Sequence, residues 1–303
     1  MSASSPAAAG GGRPDVVKGI ALVVAAVFCF SVLDSLSKTL VQRYPLMMVV
    51  WVRYAAHVAI MLVLLLPRMG SRLFETRRPG IQLARGLALG LSSVTFVAGL
   101  SAMPLAEASA IAQIGPVLIT LLAVRFLGET APPGTWWALT VSFAGVLLIA
   151  RPGSQVFTWA AFLPLATAVL AAVYQLLTRK LSNVDNGVAT LFLGGLVATV
   201  TASLIVPFHW EWPRDVVDGL LLLSMGAVGA GGHMLLVRAF ENAPASTLAP
   251  FGYFQVASSL VMGILVFDNF PDEWALAGML MIVATGVVMA LVRGRRALEA
   301  RGE

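Results

Sequence analysis

Ten apolar stretches separated by short polar connections run through this chain. A helix of about 20 apolar residues is long enough to cross the hydrocarbon core of a bilayer. The connections leave no room for a soluble domain, so the pattern predicts an all-α membrane protein with ten transmembrane helices. The stretch at 136–150 is short for a full span. The ten stretches are 17–37, 46–66, 81–100, 105–126, 136–150, 159–177, 188–206, 216–237, 247–267 and 274–292.

The composition and the placement of charge support a membrane protein. Hydrophobic residues make up 58% of the chain and charged residues only 12%, whereas about a quarter of the residues in a soluble domain are charged. Lys and Arg concentrate in alternate connections, as expected when they mark the cytoplasmic side. The outer connections then receive only Lys38, Arg43, Arg151 and Arg214. This distribution places both termini in the cytoplasm and argues against a nucleic-acid partner.

An internal repeat divides the chain into two halves. Residues 104–153 contain a small-residue helix, a short turn and a Trp-led helix with Ala-Gly-Val-Leu, and residues 244–294 repeat this order with Thr-Gly-Val-Val. Two five-helix halves must insert with opposite orientations, an arrangement common in secondary transporters, with the substrate site between the halves. We expect a disordered tail at 1–16, repeats at 17–153 and 154–293, and a cytoplasmic tail at 294–303.

Three motifs carry a resemblance to a known family. They are Pro-Leu-Ala-Glu-Ala-Ser-Ala-Ile-Ala-Gln at 104–113, Leu-Gly-Glu-Thr at 127–130 and Phe-Ala-Gly-Val-Leu-Leu-Ile at 143–149. With Arg53 and Arg85-Gly86, they resemble the EamA family of the drug/metabolite transporter superfamily. Asp268 departs from the Gly-Glu common there. The resemblance implies a transporter of the bacterial inner membrane that exports small metabolites, with amino acids, aromatic or neutral ones among them, as the leading expectation. An importer of a vitamin, nucleoside or cofactor precursor is the alternative.

Asp34 is the candidate that most directly indicates function, because a charged residue at membrane depth is costly and usually functional. Lys38 lies four residues later on the same helix face, and Arg53 and His57 have the same spacing on the second helix. In one interpretation Asp34 binds a substrate amine while Lys38 or Arg53 binds a carboxylate. In the other, Asp34 forms an internal salt bridge, and the cations extend toward the membrane interface.

The remaining substrate-binding candidates are polar groups inside apolar stretches, where they can line a substrate pocket or pack between helices. They are Gln113, Tyr174, Gln175, His233, Tyr253 and Gln255. Glu107 lies in the first turn of its helix, where the helix dipole alone can explain it. Pro116 predicts a broken helix near the membrane midplane, a common feature of transporter sites.

Several function classes are disfavoured. The sequence has no nucleophile elbow, phosphate loop or metal-ligand cluster, so we expect neither an enzyme nor a bound cofactor or metal. His57, His209 and His233 are expected at different depths. The expected partners are a small-molecule substrate and the lipid bilayer. The sequence leaves open whether transport is coupled to protons or is facilitated diffusion. It also leaves open whether the protein is a monomer or a homodimer. Close helix contacts are expected at glycines, namely Gly86, Gly90, Gly226, Gly231, Gly278 and Gly286.

Overall fold

The structure, a computed structural model, describes residues 16–127, 134–151, 159–181, 184–242 and 248–299. The described residues contain helices and no strand. Short 3-10 helices lie at Gly70–Phe74, Trp159–Ala161, Val206–His209 and Ala249–Tyr253. Of the expected tail at 1–16 the structure describes only residue 16, and of the expected tail at 294–303 it describes residues 294–299. The α helices are α1 (Val16–Val41), α2 (Leu46–Met69), α3 (Pro79–Ala102), α4 (Leu105–Ala112), α5 (Gly115–Leu127), α6 (Thr135–Ala150), α7 (Phe162–Leu181), α8 (Gly187–Ser203), α9 (Val216–Asn242), α10 (Phe254–Phe267) and α11 (Glu273–Glu299).

Many of these helices are suited to a bilayer. Six segments of the described chain are long and apolar enough to cross a membrane, and the all-helical membrane class is therefore confirmed. Four further apolar helices are shorter, at Trp136–Ala150, Gly187–Ser203, Phe251–Phe267 and Glu273–Val288. The six longer segments are Val16–Val41, Leu46–Phe74, Pro79–Ala102, Leu105–Phe126, Trp159–Leu181 and Val216–Ala239.

The helix predicted at 105–126 is broken at Gln113 and Ile114, between α4 and α5. Pro116 lacks the N–H that would bond the carbonyl of Ala112, the residue at which α4 ends. The second half has a matching change of helix type, because a 3-10 helix ends at Tyr253 and α10 begins at the next residue. Gln113 and Tyr253 are separated by 140 residues. Both halves therefore interrupt a helix at corresponding positions.

Helix packing repeats between the two halves. The first helix, α1, packs most extensively against α9, and α3 packs in the same way against α7. Likewise α2 packs against α9 and α3 against α8. Exchanging α1, α2 and α3 for α7, α8 and α9 leaves this set of contacts unchanged. The packing thus has the approximate two-fold symmetry that an internal repeat predicts.

Two glycines occupy corresponding positions in this symmetry. A Cβ on Gly86 would lie 2.5 Å from Cβ of Val197, and one on Gly226 would lie 2.2 Å from Cβ of Ala56. Gly86 and Gly226 are 140 residues apart, and Ala56 and Val197 are 141 apart. Only a residue without a side chain allows α3 to approach α8, and α9 to approach α2, this closely.

Of the other glycines expected at close helix contacts, some make such contacts and others do not. Gly145 and Gly278 face each other between α6 and α11, where a Cβ on Gly278 would lie 2.5 Å from the Gly145 carbonyl oxygen. Gly286 lies directly under the ring of Tyr253. Gly90 makes only ordinary contacts, and the expectation for Gly231 is wrong, because its Cβ position faces open space on the exposed stripe of α9.

Polar contacts define the two ends of the bundle. Near the end of α1, the Lys38 ammonium binds backbone carbonyls at the end of α3. We call this end the Lys38 side. At the opposite end, Gln82 at the start of α3 binds Asp185 in the connection between α7 and α8. We call this end the Asp185 side.

Candidate functional site

Asp34 lies where α1, α2 and α10 meet. Its side chain is almost entirely buried, and Oδ1 lies 3.5 Å from Nη1 of Arg53 on α2. The other oxygen, Oδ2, accepts a hydrogen bond of 3.3 Å from Nε2 of Gln255 on α10. One turn earlier on α1, the hydroxyl of Ser31 lies 3.2 Å from that of Ser259. The structure thus brings together Asp34 and Gln255, two of the candidates that the sequence indicates.

Arg53 is incompletely satisfied. Its Nη1 is buried and has no hydrogen-bond partner among the described residues. The 3.5 Å separation from Asp34 is an ion-pair distance, but charge-assisted hydrogen bonds in proteins are usually about 2.7–2.9 Å long. The side chain remains 19% exposed. Because guanidinium groups bind carboxylates with two parallel hydrogen bonds, Arg53 retains the capacity to bind a carboxylate ligand.

Lys38 makes different contacts from those of Asp34, although they share a helix. Its Nζ donates to the backbone oxygens of Leu100 at 2.8 Å and Met103 at 2.7 Å. The same ammonium lies 5.4 Å from the ring centroid of Phe267. Lys38 is buried, and its ammonium binds these backbone carbonyls rather than Asp34. Arg53, rather than Lys38, supplies the salt bridge that the sequence allowed.

Two histidines lie beside this cluster. The rings of His57 on α2 and His233 on α9 are 5.6 Å apart and nearly perpendicular. Phe30 of α1 packs on His233 at 4.9 Å. The expectation that these two histidines lie at different depths is therefore wrong. The contact depends on the close approach of α9 to α2 at Gly226, which helix spacing alone does not reveal.

Arg85 is a buried cation that sequence reasoning noted only as part of a family pattern. It is 1% exposed, and its guanidinium donates to the backbone oxygen of Thr190 on α8 and to Oε1 of Gln82. The guanidinium also lies 4.9 Å from the ring centroid of Tyr174 on α7. A side chain on Gly194 would collide with it, because a Cβ there would lie 2.8 Å from Nη2. The sequence feature that could have identified Arg85 was an Arg inside an apolar stretch with a Gln three residues earlier.

Gln175 is exposed on α7. Phe162 and Val169 mark the exposed apolar face of α7, and at 3.6 residues per turn Gln175 lies roughly on the opposite face. Ala168, about two turns earlier on the Gln175 face, is completely buried. Gln175 is therefore an exposed polar residue near the end of α7 that leads to the Asp185 side.

The exposure of Gln175 can be compared with that of Asp34, the corresponding residue of the first half. Asp34 precedes Gln175 by 141 residues, the same separation as that between Ala56 and Val197. Asp34 is nevertheless buried, as are most of the residues that follow it to the end of α1. The corresponding positions of the two halves thus differ in exposure, because Asp34 is buried and Gln175 is exposed.

The interrupted helices contribute two more candidates. Nε2 of Gln113 donates a 3.2 Å hydrogen bond to the backbone oxygen of Gly252. Tyr253 is buried against α11, where a Cβ on Gly286 would lie 1.9 Å from its Cζ. One turn before Gln113, the buried hydroxyl of Ser109 has no partner among the described residues. The two helix breaks therefore touch, and broken helices in contact between halves are a common feature of transporter sites.

Carboxylates tie the connections together at both ends. On the Lys38 side, Asp218 receives a hydrogen bond of 2.6 Å from the Tyr44 hydroxyl and pairs with Arg43 at 2.5 Å. Arg151 and Asp272 form an ion pair there between the end of α6 and the start of α11. The hydrogen bond from Arg151, with a second from the backbone N–H of Ala275, lowers the pKa of Asp272.

Asp185 has the corresponding role on its own side. Its oxygens accept hydrogen bonds from the Thr76 hydroxyl at 2.5 Å, the Arg77 backbone N–H at 2.9 Å and the Gln82 amide at 3.1 Å. Partial burial alone would raise the pKa of Asp185, but these hydrogen bonds outweigh it and lower the pKa. The α2–α3 connection is thereby joined to the α7–α8 connection.

The chain is similar to bacterial transporters over most of its length. The model of the EamA-like transporter family matches residues 17–151 and 158–291. The pseudopaline exporter CntI of Pseudomonas aeruginosa is 30% identical, over 91% of this chain and 97% of the relative. The riboflavin transporter of Rhizobium johnstonii is 28% identical over 76% of each chain.

Further relatives extend the similarity. An S-adenosylmethionine uptake transporter of Rickettsia bellii is 26% identical over 71% of this chain and 73% of that one. A solved crystal structure superposes with a TM-score of 0.66 over 93% of this chain and 100% of its own, at 19% identity, which shows the fold alone. The two matched segments coincide with the two halves that the packing defines. The chain therefore belongs to the EamA-like transporter family.

Proposed function

We propose that this protein exports a small zwitterionic metabolite of the amino-acid type across the bacterial inner membrane. The six long and four shorter apolar helices would provide ten spans, with both termini in the cytoplasm. The observation that carries the proposal is the pair formed by Asp34 and Arg53, which is buried, oppositely charged and too long for good hydrogen bonds. A ligand with an amine and a carboxylate could satisfy both groups.

Binding would exchange one ion pair for two. The substrate ammonium would bind Asp34, and its carboxylate would bind Arg53 through the donor that has no partner. The desolvated ions are costly unless paired, so a ligand that pairs both is favoured over one that pairs neither. His57, His233 and Tyr174 lie near enough to contact the remainder of the substrate, and they suit an aromatic or polar group.

The distribution of charge supports an orientation. The Asp185 side carries Arg68, Arg72, Arg77 and Arg78 in the α2–α3 connection, as expected of a cytoplasmic side. The space beside Gln175 would then open to the cytoplasm, and the contacts of Lys38 would close the periplasmic side. Exchanging the conformations of the two halves would produce the opposite opening, which is the alternating access expected of inverted repeats.

The relatives support transport of small molecules and leave its direction to experiment. One of them is an exporter by name, at 30% identity, whereas others are named for riboflavin transport and for S-adenosylmethionine uptake. A vitamin or cofactor importer is accordingly the second candidate function. A carrier without a coupling ion runs in both directions, so the substrate must be identified before the direction.

Counterflow in proteoliposomes tests the proposal. Proteoliposomes that contain the purified protein would be preloaded with one unlabelled compound at a time: an amino acid, riboflavin or S-adenosylmethionine. Entry of the same compound in labelled form would then be measured. We expect saturable counterflow with an amino acid and its loss in Asp34→Asn. Asp268→Asn is the matched control, because this exposed carboxylate lies outside the cluster at φ 52°, a conformation that Asn tolerates. Counterflow of riboflavin or S-adenosylmethionine alone would favour the second candidate, and full activity of Asp34→Asn would refute the role of Asp34.

A further inference from the structure

We propose that a groove on the Asp185 side binds the headgroup of an anionic phospholipid, whose acyl chain lies along α2. The groove has a volume of about 860 Å³ and lies between the α2–α3 and α7–α8 connections. Its walls include Arg68, Arg72, Arg77, Phe74 and Asp185. It is separate from the Asp34 cluster, and the transport proposal does not require it.

The arginines of the groove are available to a ligand. Arg68, Arg72 and Arg77 are exposed, and none of them belongs to the ion pairs found in the described part of the chain. Two acidic residues also line the groove, but both oxygens of Asp185 are already occupied by hydrogen bonds from Thr76, Gln82 and the Arg77 backbone. Three arginines against the two carboxylates of Glu75 and Asp185 still leave the groove with a net positive charge. Guanidinium groups bind phosphate with paired hydrogen bonds.

A helix terminus adds to this positive potential. The α8 helix starts at Gly187, and the neighbouring Asn186 and Val188 line the groove. The N-terminus of a helix carries a partial positive charge, which favours a nearby anion. The arginines and the α8 terminus therefore act in the same direction.

A shallow apolar groove on α2 lies near this site and supports a lipid as the occupant. It has a volume of about 360 Å³ and is lined entirely by Ala59, Ile60, Val63 and Leu64 of α2. Leu64 precedes Arg68 by one helical turn, so the apolar groove ends next to the arginines. Val63 and Leu64 are exposed on the bundle surface. A molecule with an anionic head and a hydrocarbon chain fits both grooves, whereas a soluble phosphate uses only the first.

The occupant would connect the two halves of the protein. One wall of the headgroup groove belongs to the α2–α3 connection and the other to the α7–α8 connection. Basic pockets at the cytoplasmic ends of transmembrane helices commonly recruit anionic lipids. Here a bound phosphate would bridge the same two connections that Asp185 joins, and it would hold them together.

The test uses the full-length protein in neutral detergent micelles, with bound lipid counted by native mass spectrometry. We expect one phosphatidylglycerol to bind in preference to phosphatidylcholine. The variant Arg68→Gln/Arg72→Gln/Arg77→Gln should reduce the apparent affinity at least about tenfold, since each basic group near an anionic lipid contributes. The matched control is Arg78→Gln/Lys180→Gln/Arg238→Gln. It removes the same charge from exposed residues that do not line the groove, and it should bind as the wild type does.

A second experiment distinguishes binding of a lipid from binding of a free phosphate. Ala59→Phe fills the apolar groove and should weaken phosphatidylglycerol binding, while all six arginine and lysine positions remain intact. Glycerol 3-phosphate should not compete at concentrations that saturate the lipid. Equal binding of phosphatidylcholine, equal losses in the two triple variants, unchanged binding in Ala59→Phe, or competition by glycerol 3-phosphate would each overturn the proposal. Thermal unfolding of each variant without lipid verifies that it is folded.

Discussion

Arg53 approaches Asp34 to 3.5 Å, yet the buried Nη1 of Arg53 makes no hydrogen bond to any residue that the structure describes. A purely structural ion pair at this depth would be expected to use short bonds, because desolvation must be offset by good geometry. The longer separation leaves one donor of Arg53 free, while Gln255 binds the other oxygen of Asp34. This geometry supports our proposal that the pair receives a ligand rather than only fixing two helices.

A double-mutant cycle distinguishes these roles. Asp34→Asn and Arg53→Gln should each lower counterflow by at least about tenfold, and the double variant should lose little more, because effects within one functional unit are not additive. Thermal unfolding of the same variants is the structural readout. If instead each single variant is strongly destabilised, and the double variant recovers both stability and transport, the pair serves folding alone.

Lys38 provides the second prediction, because its ammonium binds the terminal carbonyls of α3. Lys38→Met removes a cation that stabilises this helix end and should favour opening of the Lys38 side. We expect faster labelling of a cysteine placed at Ser109, a buried position on α4, in a chain whose single cysteine has been changed by Cys29→Ser. Lys38→Arg retains the donor and is the control. Equal labelling rates in Lys38→Met and in the parent chain would argue against a closing role.

Much of the site could be anticipated from residue type and helix periodicity. Asp34, Gln113 and Gln255 all lie in polar contacts between halves of the protein, and each was indicated by a polar group inside an apolar stretch. Periodicity also placed Asp34 and Lys38 on one face of α1. These features depend on residue type and on the periodicity of a single helix, and both can be read from the sequence.

The partners of those residues could not be anticipated in the same way. Pairing of Asp34 with Arg53, and of Lys38 with the end of α3, depends on which helices become neighbours. The contact between His57 and His233 requires the close approach at Gly226, and burial of Arg85 requires the space left by Gly194. Such contacts depend on three-dimensional packing between distant segments, which helical spacing does not encode.

Asp185 should give stability a defined pH dependence. Its pKa is lowered in the folded protein by the hydrogen bonds from Thr76, Arg77 and Gln82, which outweigh the opposing effect of burial. The stabilisation is therefore complete above the unfolded pKa of about 3.9 and is lost as the pH falls through the lower folded value. Asp185→Asn should lower the free energy of unfolding at pH 7 by at most about 1 kcal/mol, because solvent screens this partly exposed carboxylate, and should reduce the loss on acidification. Thermal unfolding across pH 3–7 (roughly the range in which Asp titrates) is the measurement. Asp268→Asn removes an exposed carboxylate outside this hydrogen-bond network and is the matched control.

The corresponding glycines offer the sharpest test of the repeated packing. Gly226→Ala would place a methyl group 2.2 Å from Cβ of Ala56 and 2.7 Å from its backbone carbon, whereas Gly86→Ala would meet only the side chain of Val197. Overpacking typically costs about 1–3 kcal/mol, so both variants should unfold at lower temperature, and Gly226→Ala should be affected more because backbone cannot move aside as easily as a side chain. Gly231→Ala on the same helix faces open space and should instead stabilise α9 by up to about 1 kcal/mol, since Ala favours a helix over Gly. Equal destabilisation at all three positions in thermal unfolding would show that loss of glycine flexibility, rather than close helix packing, is responsible.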